Sequence, residues 1–202
     1  MKSRLARYEI RIAGFGGQGV ITLSKMIITA VSIYENLAAT QTEAYSASAR
    51  GGRCWAEVVV ELDKNIESID YPQALQPYDF LIVLSGESAA GVNQALMKEN
   101  GNTGFLVWDP STIQEFKAVN TIKKSLSVPV QKIAVEKFGN IVFGNSILFG
   151  VFTILSGIIS EESAIETLKK FVPSSTLEKN LEAFELGKKE AQDFLKELKE
   201  AA

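Results

Sequence analysis

Four glycines in six residues, Gly14, Gly16, Gly17 and Gly19, follow the strand-like run "YEIRIA" and open onto a helical pattern. Their spacing fits G-x-G-x-x-G, with Gly17 and Gln18 in the variable positions. Glycine serves where backbone must take positive φ or approach a ligand closely, and a helix N-terminus attracts anions. Strand–"GFGGQG"–helix is therefore a candidate cradle for a phosphate or carboxylate; the same residues also suit a tight turn that packs helix on strand. A dinucleotide would further require an acid near the end of the second strand for its ribose hydroxyls. Glu43 is the one candidate and stands a little late, and it is followed by the small-residue loop "AYSASARGG" instead of a helix. That weakens a nicotinamide-dinucleotide reading.

The loop carries a second anion-friendly composition, because Arg50 and Arg53 flank the doublet Gly51–Gly52. Folded over the end of the first strand, it would bring both glycine stretches to one cleft at the carboxyl edge of the sheet, where open α/β sheets bind ligands. The alternative is a solvated basic turn. Other chemistries are excluded by composition. With no histidine, the chain cannot build Ser-His-Asp or Cys-His catalysis or a histidine zinc site. Its one cysteine, Cys54, cannot form an internal disulfide or alone supply the four thiolates of an iron–sulfur cluster. Cys54 sits beside Trp55 in a strand-like run and reads as a buried structural thiol, as suits a reducing cytoplasm.

The elements that must position these residues alternate as in an α/β sheet. Strands are expected at Tyr8–Ala13, 37–42, "CWAEVVVEL", Asp79–Ser85 and "FLVWD", with helices at Gln18–Glu35 and near Ser88–Glu99. "SVPVQKIAVEKFG" reads as a last short strand and helix. Phe138–Ser160 is a run of 23 residues without a charge, long enough for a bilayer. Its scattered glycines, its Asn140, Asn145 and Ser146 and its lack of an aromatic belt make it a buried or interfacial helix instead, with Asn145 and Ser146 facing polar partners. Glu161–Phe171 and Ser174–Lys199 follow as helices. In the latter, positions 177, 181, 184, 188, 191, 195 and 198 form a seam that is apolar except at Lys188. The 202 residues are expected to make one domain, an α/β/α sandwich with a mostly parallel sheet and a helical C-terminal extension from about residue 138 to 202. No signal peptide is evident, and a formal net charge of −3 with mixed signs speaks against a nucleic-acid partner.

Taken in order, "GFGGQGV", "TQTEAYSASARGG", "IDYP", "YDFLIVLS", "GN…GNSILFG" and "LEKNLEAFELG" resemble the gamma subunit of 2-oxoacid:ferredoxin oxidoreductases, a unit also found inside single-chain pyruvate:ferredoxin oxidoreductases. The match runs from about Glu9 to Gly187, and "IDYP" and the small size look most like the 2-oxoglutarate branch. The resemblance implies a non-redox subunit in the oxidative decarboxylation of a 2-oxoacid to acyl-CoA and CO2. Thiamine diphosphate and iron–sulfur clusters would then belong to alpha, beta and ferredoxin-like subunits, with ferredoxin or flavodoxin as acceptor and no nucleic-acid or membrane partner. It further implies coenzyme A as a shared ligand, approached by Gly14, Gly16, Gly17, Gln18, Gly19, Tyr45, Arg50, Gly51, Gly52 and Asn145, with no catalytic residue and no metal on this chain. One departure stands out. The family's loop reads closer to "SYGPEARGG", and here Ser46, Ala47 and Ser48 replace the Gly-Pro-Glu. The rival readings are a free-standing nucleotide-binding module and a purely structural assembly subunit.

Overall fold

The computed structural model describes residues 7–46, 52–98 and 104–201, without the side chain of Gln94. Six strands form one sheet: β1 (Arg7–Phe15), β2 (Ala39–Tyr45), β3 (Arg53–Glu61), β4 (Phe80–Val83), β5 (Phe105–Trp108) and β6 (Ser125–Ser127). Their spatial order is β2-β3-β1-β4-β5-β6. β1, β4, β5 and β6 run parallel, while β3 lies antiparallel between β2 and β1. The sheet is mostly parallel, as its sequence suggested. β4 is buried at all four positions, which is why "FLIV" shows no alternation.

One face of the sheet carries α1 (Val20–Thr29), α3 (Val130–Phe138), α4 (Gly144–Ser156), α5 (Glu161–Phe171) and α6 (Leu177–Glu200). Ile10, Ile12, Val58, Phe80 and Ile82 of the sheet share a core with Leu23, Phe149, Phe152, Leu168 and Phe184 of these helices. The uncharged run contributes α4, buried at ten positions, and among the described residues no helix is long and apolar enough to cross a membrane. The other face has a smaller core around Leu81, Val83, Leu106 and Phe116, covered by α2 (Gly86–Ala89) and short 3-10 turns.

Several boundaries differ from the sequence pattern. The helix expected near Ser88–Glu99 is the four-residue α2 plus a 3-10 turn at Gln94–Leu96. Backbone pairing wins there: Tyr78 N–H donates to the Leu96 carbonyl at 2.7 Å, and Lys98 N–H to that of Tyr78 at 3.0 Å. The first helix is two pieces, since α1 passes into a π turn at Ala30–Tyr34 closed by Glu35 N–H on the Ala30 carbonyl. The segment "AYSASARGG", expected as loop, begins inside a strand: β2 reaches Tyr45, and β3 takes up the chain again at Arg53. In α6 the buried positions are Asn180, Ala183, Phe184, Gly187, Lys188 and Ala191, a narrower face than the apolar seam. Lys188 is held there by Glu161 at 2.6 Å and Glu185 at 3.0 Å.

Glu9 fastens the connection before β4 to β1. Its carboxylate accepts from Arg7 Nε at 2.6 Å and from Leu75 N–H at 2.9 Å. Burial pushes its carboxyl above the usual range, against the lowering pull of Arg7 and Lys98. A carboxyl raised in the fold binds its proton more tightly folded than unfolded. Its contribution is full below the unfolded value of about 4.3 and is lost as pH rises through the folded value. Relative to Glu9→Gln, the wild type should therefore lose stability as pH climbs from about 4 towards neutrality. Urea unfolding across that range checks this, and parallel curves for the two proteins would contradict it.

Candidate functional site

At the carboxyl end of β1 the chain reverses through Gly16–Gly19 into α1. Gln18 secures the turn: its Oε1 accepts from Phe15 N–H at 2.7 Å, and its Nε2 donates to the Leu84 carbonyl at 2.7 Å. Its amide is thus spent on joining the ends of β1 and β4. Gly14 lies beneath, where a Cβ would stand 2.7 Å from Gln18 Oε1 and 3.1 Å from Leu84 Cβ, so it is the packing glycine of the motif. Gly17 and Gly19 are left-handed, with φ of 94° and 79°. A Cβ on Gly17 would point into open space, while one on Gly19 would overlap the Asn145 amide.

Among the described residues the N-terminus of α1 has no side-chain cap, and its first turn holds no acid. The first intrahelical bond is Leu23 N–H to the Gly19 carbonyl, 2.8 Å, which leaves the preceding amides without carbonyl partners in the helix. Beside them is a cavity of about 300 Å³ lined by Gly16–Thr22, Tyr45, Ile141, Val142 and Asn145, with Cys54 in its wall. Backbone donors, positive-φ glycines and the positive end of a helix dipole suit a phosphate. No lysine or arginine stands among the described lining residues.

The structure brings Gly16, Gly17, Gln18, Gly19, Tyr45 and Asn145 together around this cavity. Gly52 joins them through its carbonyl, which accepts from Gly16 N–H at 3.1 Å, so the two glycine stretches do meet. Arg50 and Gly51, with Ala47 and Ser48, lie outside the described residues. Ser146 finds its polar partner internally, donating to Asn180 Oδ1 at 2.7 Å, while its neighbour Asn145 faces the cavity. Cys54 is buried, and burial pushes its thiol up, which disfavours the thiolate that a nucleophile needs. Glu43, the acid a dinucleotide would need, is engaged by Tyr45 at 2.7 Å and Lys25 at 3.3 Å. Ile141 and Val142, exposed at the rim, escaped the sequence reading; an apolar pair after Asn140 was their only signal.

Arg53 belongs elsewhere. It pairs with Glu87 at 3.6 Å on a second cavity of about 470 Å³ across the sheet, also lined by Arg11, Trp55, Leu81 and Leu96. The Arg11 guanidinium lies over the rings of Trp55 and Tyr78 and donates to Glu57 at 3.1 Å. Among the described residues no cluster of three or more acids or cysteines could hold a metal ion.

The family model described as pyruvate ferredoxin/flavodoxin oxidoreductase matches residues 9–190. The 2-oxoglutarate synthase subunit KorC of Methanothermobacter thermautotrophicus is 37% identical over 186 residues, 90% of this chain and 94% of that one. Among solved structures, the gamma subunit of a keto/oxoacid ferredoxin oxidoreductase from Geobacter sulfurreducens aligns with a TM-score of 0.72 at 26% identity, over 92% of this chain and 99% of that one. A 2-oxoglutarate:ferredoxin oxidoreductase from Magnetococcus marinus, described with 2-oxoglutarate, coenzyme A and succinyl-CoA bound, aligns at 0.76 and 23% identity. There the shared fold covers 93% of this chain and 31% of the larger one.

Proposed function

The chain belongs to the pyruvate ferredoxin/flavodoxin oxidoreductase family, and from that premise we propose that it is the gamma subunit of a 2-oxoglutarate:ferredoxin oxidoreductase. The complex converts a 2-oxoacid and coenzyme A to acyl-CoA and CO2, releasing two electrons and a proton; the electrons pass to ferredoxin or flavodoxin. Alpha, beta and ferredoxin-like subunits carry the thiamine diphosphate and the iron–sulfur clusters. This chain contributes part of the coenzyme A cleft and no redox centre. A cytoplasmic location is part of the proposal, supported by the lone buried thiol Cys54.

The observation that carries the reading is 37% identity to a 2-oxoglutarate synthase subunit over nearly the full length of both chains. The site supports it independently. Coenzyme A bears several phosphate charges, and the cavity beside α1 offers uncapped helix amides and the left-handed Gly17 and Gly19. Those amides would hold a phosphate, with Gly16 allowing close backbone approach while its own N–H stays on the Gly52 carbonyl; Tyr45, Asn145, Ile141 and Val142 would flank the rest of the ligand. Arg50 and Gly51 belong to the proposed set as the loop next to Gly52.

The test is acceptor reduction by the co-purified complex across a panel of 2-oxoacids, with and without coenzyme A. Coenzyme A-dependent turnover should be fastest with 2-oxoglutarate, and the isolated chain should be colourless and inactive. Preference for pyruvate would overturn the branch. Stoichiometric iron and sulfide on the isolated chain would overturn its non-redox role. Tight NAD or FAD binding by that chain would favour a free-standing nucleotide-binding module.

A further inference from the structure

Gln41, Glu43 and Tyr45 occupy alternate positions of β2 and so share one face of this edge strand, the face turned to α1. Hydrogen bonds run along that row. Tyr45 OH donates to Glu43 Oε2 at 2.7 Å. Glu43 Oε1 accepts from Gln41 Nε2 at 3.1 Å and pairs with Lys25 Nζ at 3.3 Å. Gln41 Nε2 also donates to Ser24 Oγ at 2.6 Å, and Ser24 Oγ donates to the Ile21 carbonyl at 2.9 Å. Ile21 and Tyr45 both line the 300 Å³ cavity. Two of its walls, the first turn of α1 and the end of β2, are therefore linked through Glu43.

We infer that Glu43 is a positioning residue that fixes Tyr45 as a hydrogen-bond acceptor at the cavity, so that the site takes a ligand with an anionic group at one end and an N–H donor further along. The inference rests on the coenzyme A reading, whose phosphates and pantetheine amides supply those two features. A phenol has one proton, and here a carboxylate that can only accept holds it. The Tyr45 oxygen has lone pairs alone to offer a ligand. The proton stays in place because the Glu43 bond raises the phenol's pKa and the Tyr45 bond lowers that of the carboxyl. The wall formed by the start of α1 offers backbone N–H, which can only donate. One side of the cavity thus selects an anion, and the other turns an anion away and receives an amide.

An isosteric change separates this from packing. In Glu43→Gln the carbonyl oxygen is claimed by the two donors Gln41 and Lys25, which leaves the new NH2 facing Tyr45. The phenol must then accept from residue 43 and aim its own proton at the cavity. Shape is kept and polarity is reversed.

The experiment measures KM for coenzyme A and kcat in the assembled complex for Glu43→Gln, Tyr45→Phe, the double variant and Gly19→Ala, with assembly checked by size-exclusion chromatography. Glu43→Gln should raise KM about ten-fold with little change in kcat, and Tyr45→Phe about three- to five-fold. The double variant should match Tyr45→Phe, because no misdirected proton remains. Wild-type KM in Glu43→Gln, or additive losses in the double variant, overturns the inference. If Gly19→Ala raises KM for coenzyme A while the other three leave it unchanged, the inference fails and the coenzyme A reading stands. If none of the four moves it, both fail.

Discussion

Gly187→Ala is expected to lower the unfolding free energy by about 3 kcal/mol, although alanine is the better helix former. Two effects compete. In a helix interior the change should gain about 1 kcal/mol of propensity. But a methyl group on Gly187 would overlap the Ile147 carbonyl oxygen, and one on the facing Gly150 would overlap that of Phe184. These obstacles are backbone, so no rotamer change clears them, and α4 and α6 would have to part. The seam to be opened contains Phe149 and Phe184, with ring centroids 6.0 Å apart, and the wholly buried Ala183 and Ala191. Overpacking a close contact costs typically 1–3 kcal/mol, occasionally more; an overlap with a backbone oxygen belongs above that range, at about 4 kcal/mol, which leaves about 3 kcal/mol after the propensity gain. Against a total stability of about 5–15 kcal/mol that is a large fraction.

Gly91→Ala is the matched control, since a methyl there meets nothing within 4 Å and should shift stability by no more than about 0.5 kcal/mol. Gly150→Ala should resemble Gly187→Ala, and the pair should be less than additive, because helices already separated by one methyl admit the second more easily. Urea unfolding of the four variants beside the wild type reads all of this. A neutral or stabilised Gly187→Ala would mean that α4 and α6 do not cross this closely in solution.

That seam also shows where sequence patterning stops. The spacing 177, 181, 184, 188, 191, 195, 198 follows large apolar residues, whereas the face actually buried is centred on Ala183, Phe184, Gly187 and Lys188. Close helix approach selects small residues, and a glycine that permits it looks no different in sequence from one that weakens a helix. β4 was legible because burial on both faces leaves a run of four apolar residues. The helix near Ser88–Glu99 failed because its signal was local, while the pairing of Tyr78 with Leu96 and Lys98 that overrides it spans some twenty residues.

The site divides in the same way. The glycine turn was visible in the sequence because glycine takes φ of 94° and 79° without the strain that most side chains would bring. The roles within the motif were not: Gly14 packs, Gln18 stitches two strands, and Gly17 and Gly19 open the cavity. Glu43 and Tyr45 read as loop, beyond the strand expected at 37–42 that holds Gln41, because polar residues on an edge strand carry little hydrophobic alternation, though their period of two is what puts all three in one row. Arg53, on paper part of a basic cluster with Arg50, faces the second cavity across the sheet.

Gly19→Ala in the assembled enzyme should weaken coenzyme A use by about ten- to a hundred-fold and leave the reaction of the oxoacid intact. Gly19 is the N-cap of α1, in the left-handed region, and an added methyl would overlap the Asn145 amide. The alternatives are to strain the backbone or to push Asn145 and the first turn of α1 apart, and either disturbs the amides offered to a phosphate. A hydrogen bond to a charged group contributes roughly 1.5–3 kcal/mol, and every 1.4 kcal/mol is ten-fold, which gives the stated range for the loss of one such contact. The chemistry supplies the control. Decarboxylation precedes entry of coenzyme A in the proposed reaction, so cluster reduction by 2-oxoglutarate alone, followed in the visible spectrum, should match wild type. Coenzyme A-dependent turnover should instead need far more coenzyme A. Asn145→Ala removes the obstacle: combined with Gly19→Ala it should recover part of the loss, leaving what the left-handed backbone itself imposes. A Gly19→Ala enzyme whose KM rises for 2-oxoglutarate and not for coenzyme A would move the cavity from the coenzyme A cleft to the subunit boundary around the thiamine site.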